Sequence, residues 1–449
     1  MSTLPWSPED SAVSAALKRF ISQKVAQVRA EKRAPEHEMG PLSQAFFTAA
    51  EKGDWRGVFD SLAAFRDCGR EGLKAGVESK PQVVYPVEWA VVNEIGGALE
   101  QFADGEKYPI AFGGDIIASI PPGSIYFGGT DAGRFLVTAL SSSHVNGAPF
   151  FTLTQNALAD YRSYLRYARG MYGSRIYLPA EEDVTKAFGE YQDDARRRNA
   201  EGKLLPGECF DEAAKIDDLR GQLAVMALNG ILSRLMFEKN PGREFYVDES
   251  FPLNWMYPHL APHGLILKIN RQPLTELRSD VVERDREYWS RYVAPMIGDW
   301  LTSDTPIQNI VAFVERVHLR RDFSGFAGDP VYIDSGVAQR NFSRLRCSIG
   351  GLYYWHAQNT PGDAAKERMS QEADFAFRQA FALCPTSPEA VFRYINLLVG
   401  QKRLDEAIIV VESALKVEQQ ARPGPDAPPM ATTQLGSLLE MLRRMKSKG

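Results

Sequence analysis

The sequence predicts an α/β chain, with a mostly parallel sheet and flanking helices, followed by an all-α region of paired helices. Three observations carry this reading. Short runs of β-branched and aromatic residues (125–127, 149–154, 244–247 and 265–269) alternate with stretches of helical period. After Pro273 the strand signals stop. Ala373, Phe377 and Ala380 then recur 34 residues on as Ala407, Val411 and Ala414, which is the tetratricopeptide period. The chain accordingly divides into a helical segment (1–80), an α/β domain (81–275), a helical connector (276–340) and tetratricopeptide-like helical repeats (341–449).

Taken in order, residues 8–32 read as a helix capped by Asp10 or Ser11, with Val13, Leu17, Phe20, Ile21, Val25 and Val28 on its apolar stripe. Residues 41–67 read as a helical hairpin that turns at Lys52-Gly53-Asp54. A helix over 86–102 sets Trp89, Val92, Ile95 and Leu99 on one side, and 115–120 is a short helix leading into the first strand. That strand, 125–127, meets the turn Gly128-Gly129. Thr130 or Asp131 then stands where an N-cap belongs, ahead of Phe135, Leu136, Ala139 and Leu140 at helical spacing. Strand 149–154 leads into a helix over 157–167, 175–178 reads as a strand, and 180–202 and 222–238 as helices. Strands 244–247 and 265–269 follow, then helices over 279–301 and 306–320 and a Gly- and Asp-rich loop over 322–339. In the repeats, Ile349, Gly350 and Tyr353 mark the first helix of the earlier unit, and about eleven residues before Ala373 (NTPGDAAKERM) read as a loop insertion. Residues 421–429 form a proline-rich spacer, and 431–446 a basic terminal helix.

The composition is that of a globular protein, with 44% hydrophobic and 24% charged residues. The net charge of -5 leaves no surplus of basic residues to follow a phosphate backbone, so nucleic acid is not an expected partner. Cys68, Cys209, Cys347 and Cys384 are widely spaced and read as free, buried thiols. No window reaches the ~18 apolar residues of a membrane span. The first residues lack a basic segment followed by an apolar one, so a cytoplasmic address is expected.

Ligand chemistry in α/β folds gathers at the carboxyl ends of the strands. After strand 125–127 come Gly129, Thr130, Asp131 and Arg134. Backbone N–H groups at a helix start can hold an anion, and Arg134 can add charge to it. Asp131 can take sugar hydroxyls or act as a base; equally, it can cap the helix while Arg134 pairs with an acid. After strand 149–154 come the amides Gln155 and Asn156. After strand 244–247 come Asp248, Glu249, Trp255, Tyr257 and His263, and the aromatic rings can form a wall for a sugar or pack on the sheet edge. His259 and His263 are four apart, but Pro258 and Pro262 bar a regular helix, so no metal is expected. No cofactor is expected either, since neither the G-x-G-x-x-G spacing nor a phosphate-loop lysine is present. The repeats offer a concave face for a protein partner.

The segments SIPPGSIYFGGTDAGRF, APFFTLTQNALADYRSYL and GREFYVDESFPLNWMYPHLAPHGLILKINRQP, with paired helices behind them, resemble the soluble C-terminal part of a family of multi-spanning membrane proteins. That family belongs to the GT-C glycosyltransferase class and is related to a eukaryotic protein O-mannosyltransferase. The resemblance covers roughly residues 82–275 and the repeats behind them. It implies an accessory domain on the extracytoplasmic side, a glycan or sugar-phosphate ligand and a membrane-protein partner. The family's catalytic acid is expected between its first membrane spans. This sequence has no such spans, so no catalytic residue carries over. The resemblance therefore implies either a stand-alone relative or part of a split system. The function expected is non-catalytic binding or scaffolding beside a glycan-transfer system, and the alternative is an enzyme on sugar or sugar-phosphate working through Asp131 and Arg134.

Overall fold

A strand whose residues are all apolar or glycine needs cover on both faces, and Ile125–Gly128 (β1) has it: all four residues are buried. In the computed structural model, which describes residues 15–30, 39–74, 86–142, 146–161, 163–203, 222–249, 252–420 and 430–448, β1 is the second strand from one edge of a five-stranded sheet and the fourth from the other. The strand order is β2-β1-β3-β5-β4, with β2 at Phe151–Thr154, β3 at Phe245–Asp248, β4 at Leu260–His263 and β5 at Ile266–Ile269. β1 runs parallel to β2 and β3, with Gly128 level with Thr154 on one side and Asp248 on the other. β5 is antiparallel to both β3 and β4.

The sheet is therefore mixed, and the expectation of a mostly parallel one is corrected. The cause is local. A two-residue turn, Gly264-Leu265, joins β4 to β5, and so short a link can only join antiparallel neighbours. Gly264 takes φ +61 there, a conformation that glycine adopts without strain. β4 itself gave no strand signal because Pro262 lies in it. Proline lacks an N–H and is tolerated in a sheet at an edge, which is where β4 lies. The other edge is closed differently: the Thr154 N–H donates to the Tyr164 hydroxyl at 2.5 Å, and the Tyr172 hydroxyl takes the backbone hydrogen bond of Thr152.

Helix Asp131–Leu140 follows β1 and packs on helices Pro86–Gln101 and Lys107–Ser119. The N-terminal helix Ala15–Ala30 buries Leu17, Phe20, Ile21, Val25 and Val28 and packs on Pro86–Gln101. Helices Pro41–Lys52 and Trp55–Lys74 form the expected hairpin, with Gly53 at φ +68 between them. The helix expected over 157–167 is replaced by a 3-10 turn, Gln155–Ala157, and a helix at Tyr164–Tyr172. Asp160 Oδ1 accepts from the Ser163 N–H at 3.0 Å, a local bond that delays the helix start. No strand forms at 175–178. The helix from 279 ends at Ile297, where Gly298 takes φ +91, and the supposed loop over 322–339 contains a helical turn, Pro330–Asp334.

From Gly336 on, the described residues form five helices: Gly336–Asn359, Asp363–Leu383, Pro388–Gly400, Leu404–Gln420 and Met430–Lys448. Each packs on the next. A Cβ on Gly350 would come within 2.8 Å of the Phe377 ring, so glycine there permits the close approach of the first two helices. The residues NTPGDAAKERM are not a looped insertion: beyond the turn at 360–362 they extend the helix that begins at Asp363. Cys347 and Cys384 are free and buried. The side chain of Cys68, together with Cys209 and the spacer 421–429, lies outside the described residues. Among those residues no helix is long and apolar enough to cross a membrane.

Candidate functional site

The parallel strands end level with one another, so the residues that follow them share one rim. Thr130 is the N-cap of helix Asp131–Leu140, its Oγ1 accepting from the Gly133 N–H at 2.9 Å. Asp131 is thus the first helical residue. It pairs with Arg134 at 2.6 Å on an exposed surface, so the two residues of the enzymatic alternative neutralise one another.

The glycines of this turn have a clear steric purpose. A Cβ on Gly129 would lie 2.1 Å from Glu249 Oε2, and one on Gly133 would lie 1.7 Å from Asp248 Oδ2. They make room for two carboxylates. Asp248 Oδ2 accepts from the Thr130 hydroxyl at 3.0 Å, with the Tyr126 hydroxyl at 3.5 Å. Glu249 Oε2 accepts from Gln155 Nε2 at 3.2 Å and from Asn156 Nδ2 at 3.4 Å. Asn156 Nδ2 also donates to the Gly129 carbonyl at 2.8 Å, and the Gly129 N–H donates to the Asp248 carbonyl at 2.7 Å. Asn229 braces the turn from a neighbouring helix, accepting from the Ala159 N–H and donating to the Asn156 carbonyl. The Ser348 hydroxyl, from the first helix of the C-terminal stack, donates to the Glu249 carbonyl.

Burial, and then the charge of Glu249, raise the Asp248 carboxyl to about 7, against the hydrogen bonds from Thr130 and Tyr126 and the charge of Arg344. The electrostatics follow. The start of helix Asp131–Leu140 is already occupied by a carboxylate of the chain itself. A phosphate there would face Asp248 and Glu249 at close range, so the rim suits a cation or a hydroxyl donor better than an anion.

Gly129, Thr130, Gln155, Asn156 and Glu249 therefore come together as read from the sequence, while Asp131 and Arg134 flank them. The aromatic set does not join them. The Trp255 indole N–H donates to the Ser233 hydroxyl at 3.1 Å, and its ring packs on Phe237 and His259. Tyr257 stacks on Trp355 of the C-terminal helices, 5.7 Å between centroids. A His263 ring nitrogen meets the Ser119 carbonyl at 2.8 Å, and its ring lies on Tyr246. His259 and His263 stand at opposite ends of β4, and no group of three or more His, Cys, Asp or Glu at metal-binding spacing occurs among the described residues. The sequence reading places Asp248 after strand 244–247 but gives it no central role. The available signal was a pair of acids closing an apolar strand, FYVDE.

A second concavity lies in the C-terminal region. It is a groove of about 780 Å³ edged by Arg286, Glu372, Asp374, Arg378 and Arg403, with Ser370 and Gln401 shared with a smaller hollow of about 380 Å³ beside it. Its charges are paired: Glu372 and Asp374 of helix Asp363–Leu383 meet Arg286 and Arg403, respectively, from outside that helix, and Asp374 also meets Arg378 one turn along it. No family model, curated protein or solved structure matches this chain.

Proposed function

We propose that the protein is a binding or scaffold protein that takes a polar peptide segment of a partner in the groove of its tetratricopeptide-like helices, beside a membrane-bound glycan-transfer system. The observation that carries this reading is the groove itself. It shares Ser370 and Gln401 with the hollow beside it, and its walls present hydrogen-bonding groups of both signs. The partner segment thus carries both charges rather than one. The link to glycan transfer rests on the resemblance of residues 82–275 to the accessory part of the GT-C family. The enzymatic alternative loses support from the mutual pairing of Asp131 and Arg134.

Ser370 borders both hollows and is half-buried, so Ser370→Trp fills the groove without entering the core. Peptides selected from a random displayed library on the full-length chain should lose at least about tenfold in affinity for this variant. The melting temperature should stay unchanged. Selected peptides that bind the variant equally well, or a library that yields none, would dismiss the groove as the binding surface.

A further inference from the structure

We propose that the paired carboxylates at the carboxyl rim of the sheet hold a hard divalent cation of calcium size. Asp248 and Glu249 place two acidic groups where exposure is 1% and 7%. A doubly charged ion would compensate both, and metal coordination is one of the ways in which buried carboxylates are retained. Two buried oxygens of the residues along this rim have no hydrogen-bond partner, Asp248 Oδ1 and Gln155 Oε1. Gln155 is fully buried, and its amide ends in the cluster, because its Nε2 stands 3.2 Å from Glu249 Oε2.

Asp248 divides its carboxylate between two tasks. Oδ2 is held by the Thr130 hydroxyl against the helix start, which leaves Oδ1 for the ion. The donors are Asp248 Oδ1, Gln155 Oε1 and the Glu249 carboxylate, all oxygen, with water completing the shell. Such a set selects calcium over zinc or copper, which draw on nitrogen and sulfur. Gly129 and Asn156, half-exposed beside the cluster, give the ion its way in.

The test uses the full-length chain, stripped with EDTA and titrated with calcium chloride by calorimetry and thermal melting. One calcium ion per chain should bind with a Kd of about 10⁻³ M or tighter, with a rise in melting temperature. Terbium in its place should emit on tyrosine excitation, because the Tyr126 hydroxyl stands 3.5 Å from Asp248 Oδ2. Asp248→Asn and Gln155→Met should each weaken calcium binding at least about tenfold. Asp131→Asn, on the exposed start of the neighbouring helix, should leave it unchanged. Melting in EDTA reports whether each variant folds, and Gln155→Met carries the test if Asp248→Asn does not. No binding up to about 10 mM, above the weakest protein calcium sites, or binding that neither folded variant weakens, would overturn the proposal.

Discussion

Alanine is favoured over glycine inside a helix by about 1 kcal/mol, yet at Gly133 the sign should reverse. A methyl group there would stand 1.7 Å from Asp248 Oδ2, inside the hydrogen-bonded cluster. Gly133→Ala is expected to destabilise by about 1–3 kcal/mol through overpacking. Gly114, exposed in helix Lys107–Ser119 with open space around it, is the control. Gly114→Ala should stabilise by about 0.5–1 kcal/mol. Urea unfolding of the two variants decides it; equal effects would remove the steric account of the turn.

A second residue-scale expectation concerns His356, 1% exposed, with no partner for Nε2. Burial pushes its pKa down to about 4. The folded chain therefore holds the ring neutral, while the unfolded chain protonates it near 6.5. Stability from this group is complete above 6.5 and is lost as pH falls towards 4. Between pH 7 and 4.5 the loss is about 2–3 kcal/mol, and His356→Leu should remove that share of the acid sensitivity. Denaturant titrations of both proteins at the two pH values measure the difference.

At the scale of elements, what the sequence made legible is what local chemistry decides. The β1 turn and helix start were readable because glycine, threonine and aspartate each have one strong backbone use there. The meeting of Gly129, Thr130, Gln155, Asn156 and Glu249 was readable because parallel strands bring their carboxyl ends to one rim. What stayed hidden depends on register and on distant chain. Asp248 becomes the hub only because β3 pairs with β1 so that it stands level with Gly128. Ser348 reaches Glu249 from 99 residues away. Trp255 and His263 take the packing alternative rather than the sugar wall, because the aromatic segment folds back into β4 instead of lining the rim. In the C-terminal helices the residue sizes were informative, since Gly350 facing Phe377 is a contact that only small-against-large pairing permits.

At the scale of the whole molecule, one buried network joins three helices. Arg346 donates to Asp285 at 2.7 Å and to Gln379 at 2.7 Å, and the Tyr353 hydroxyl donates to Asp285 at 2.7 Å. Asp285 lies on helix Ser279–Ile297, Arg346 and Tyr353 on Gly336–Asn359, and Gln379 on Asp363–Leu383. Arg346 is fully buried. Removing either charge strands the other, so Arg346→Met and Asp285→Leu should each cost about 3–5 kcal/mol. The double variant should cost far less than their sum. A double-mutant cycle by urea unfolding gives the coupling, and additive losses would show that the pair does not act as a unit.

The closed borders of the sheet have a consequence for how copies of this chain meet. Tyrosine hydroxyls occupy the outward amides of Thr152 and Thr154, and Pro262 has none to offer on the opposite border. Neither side presents the run of vacant donors on which a foreign strand could nucleate. Fibril growth or exchange by strand addition is thereby discouraged at both ends of the sheet, and self-assembly falls to the helical surfaces instead.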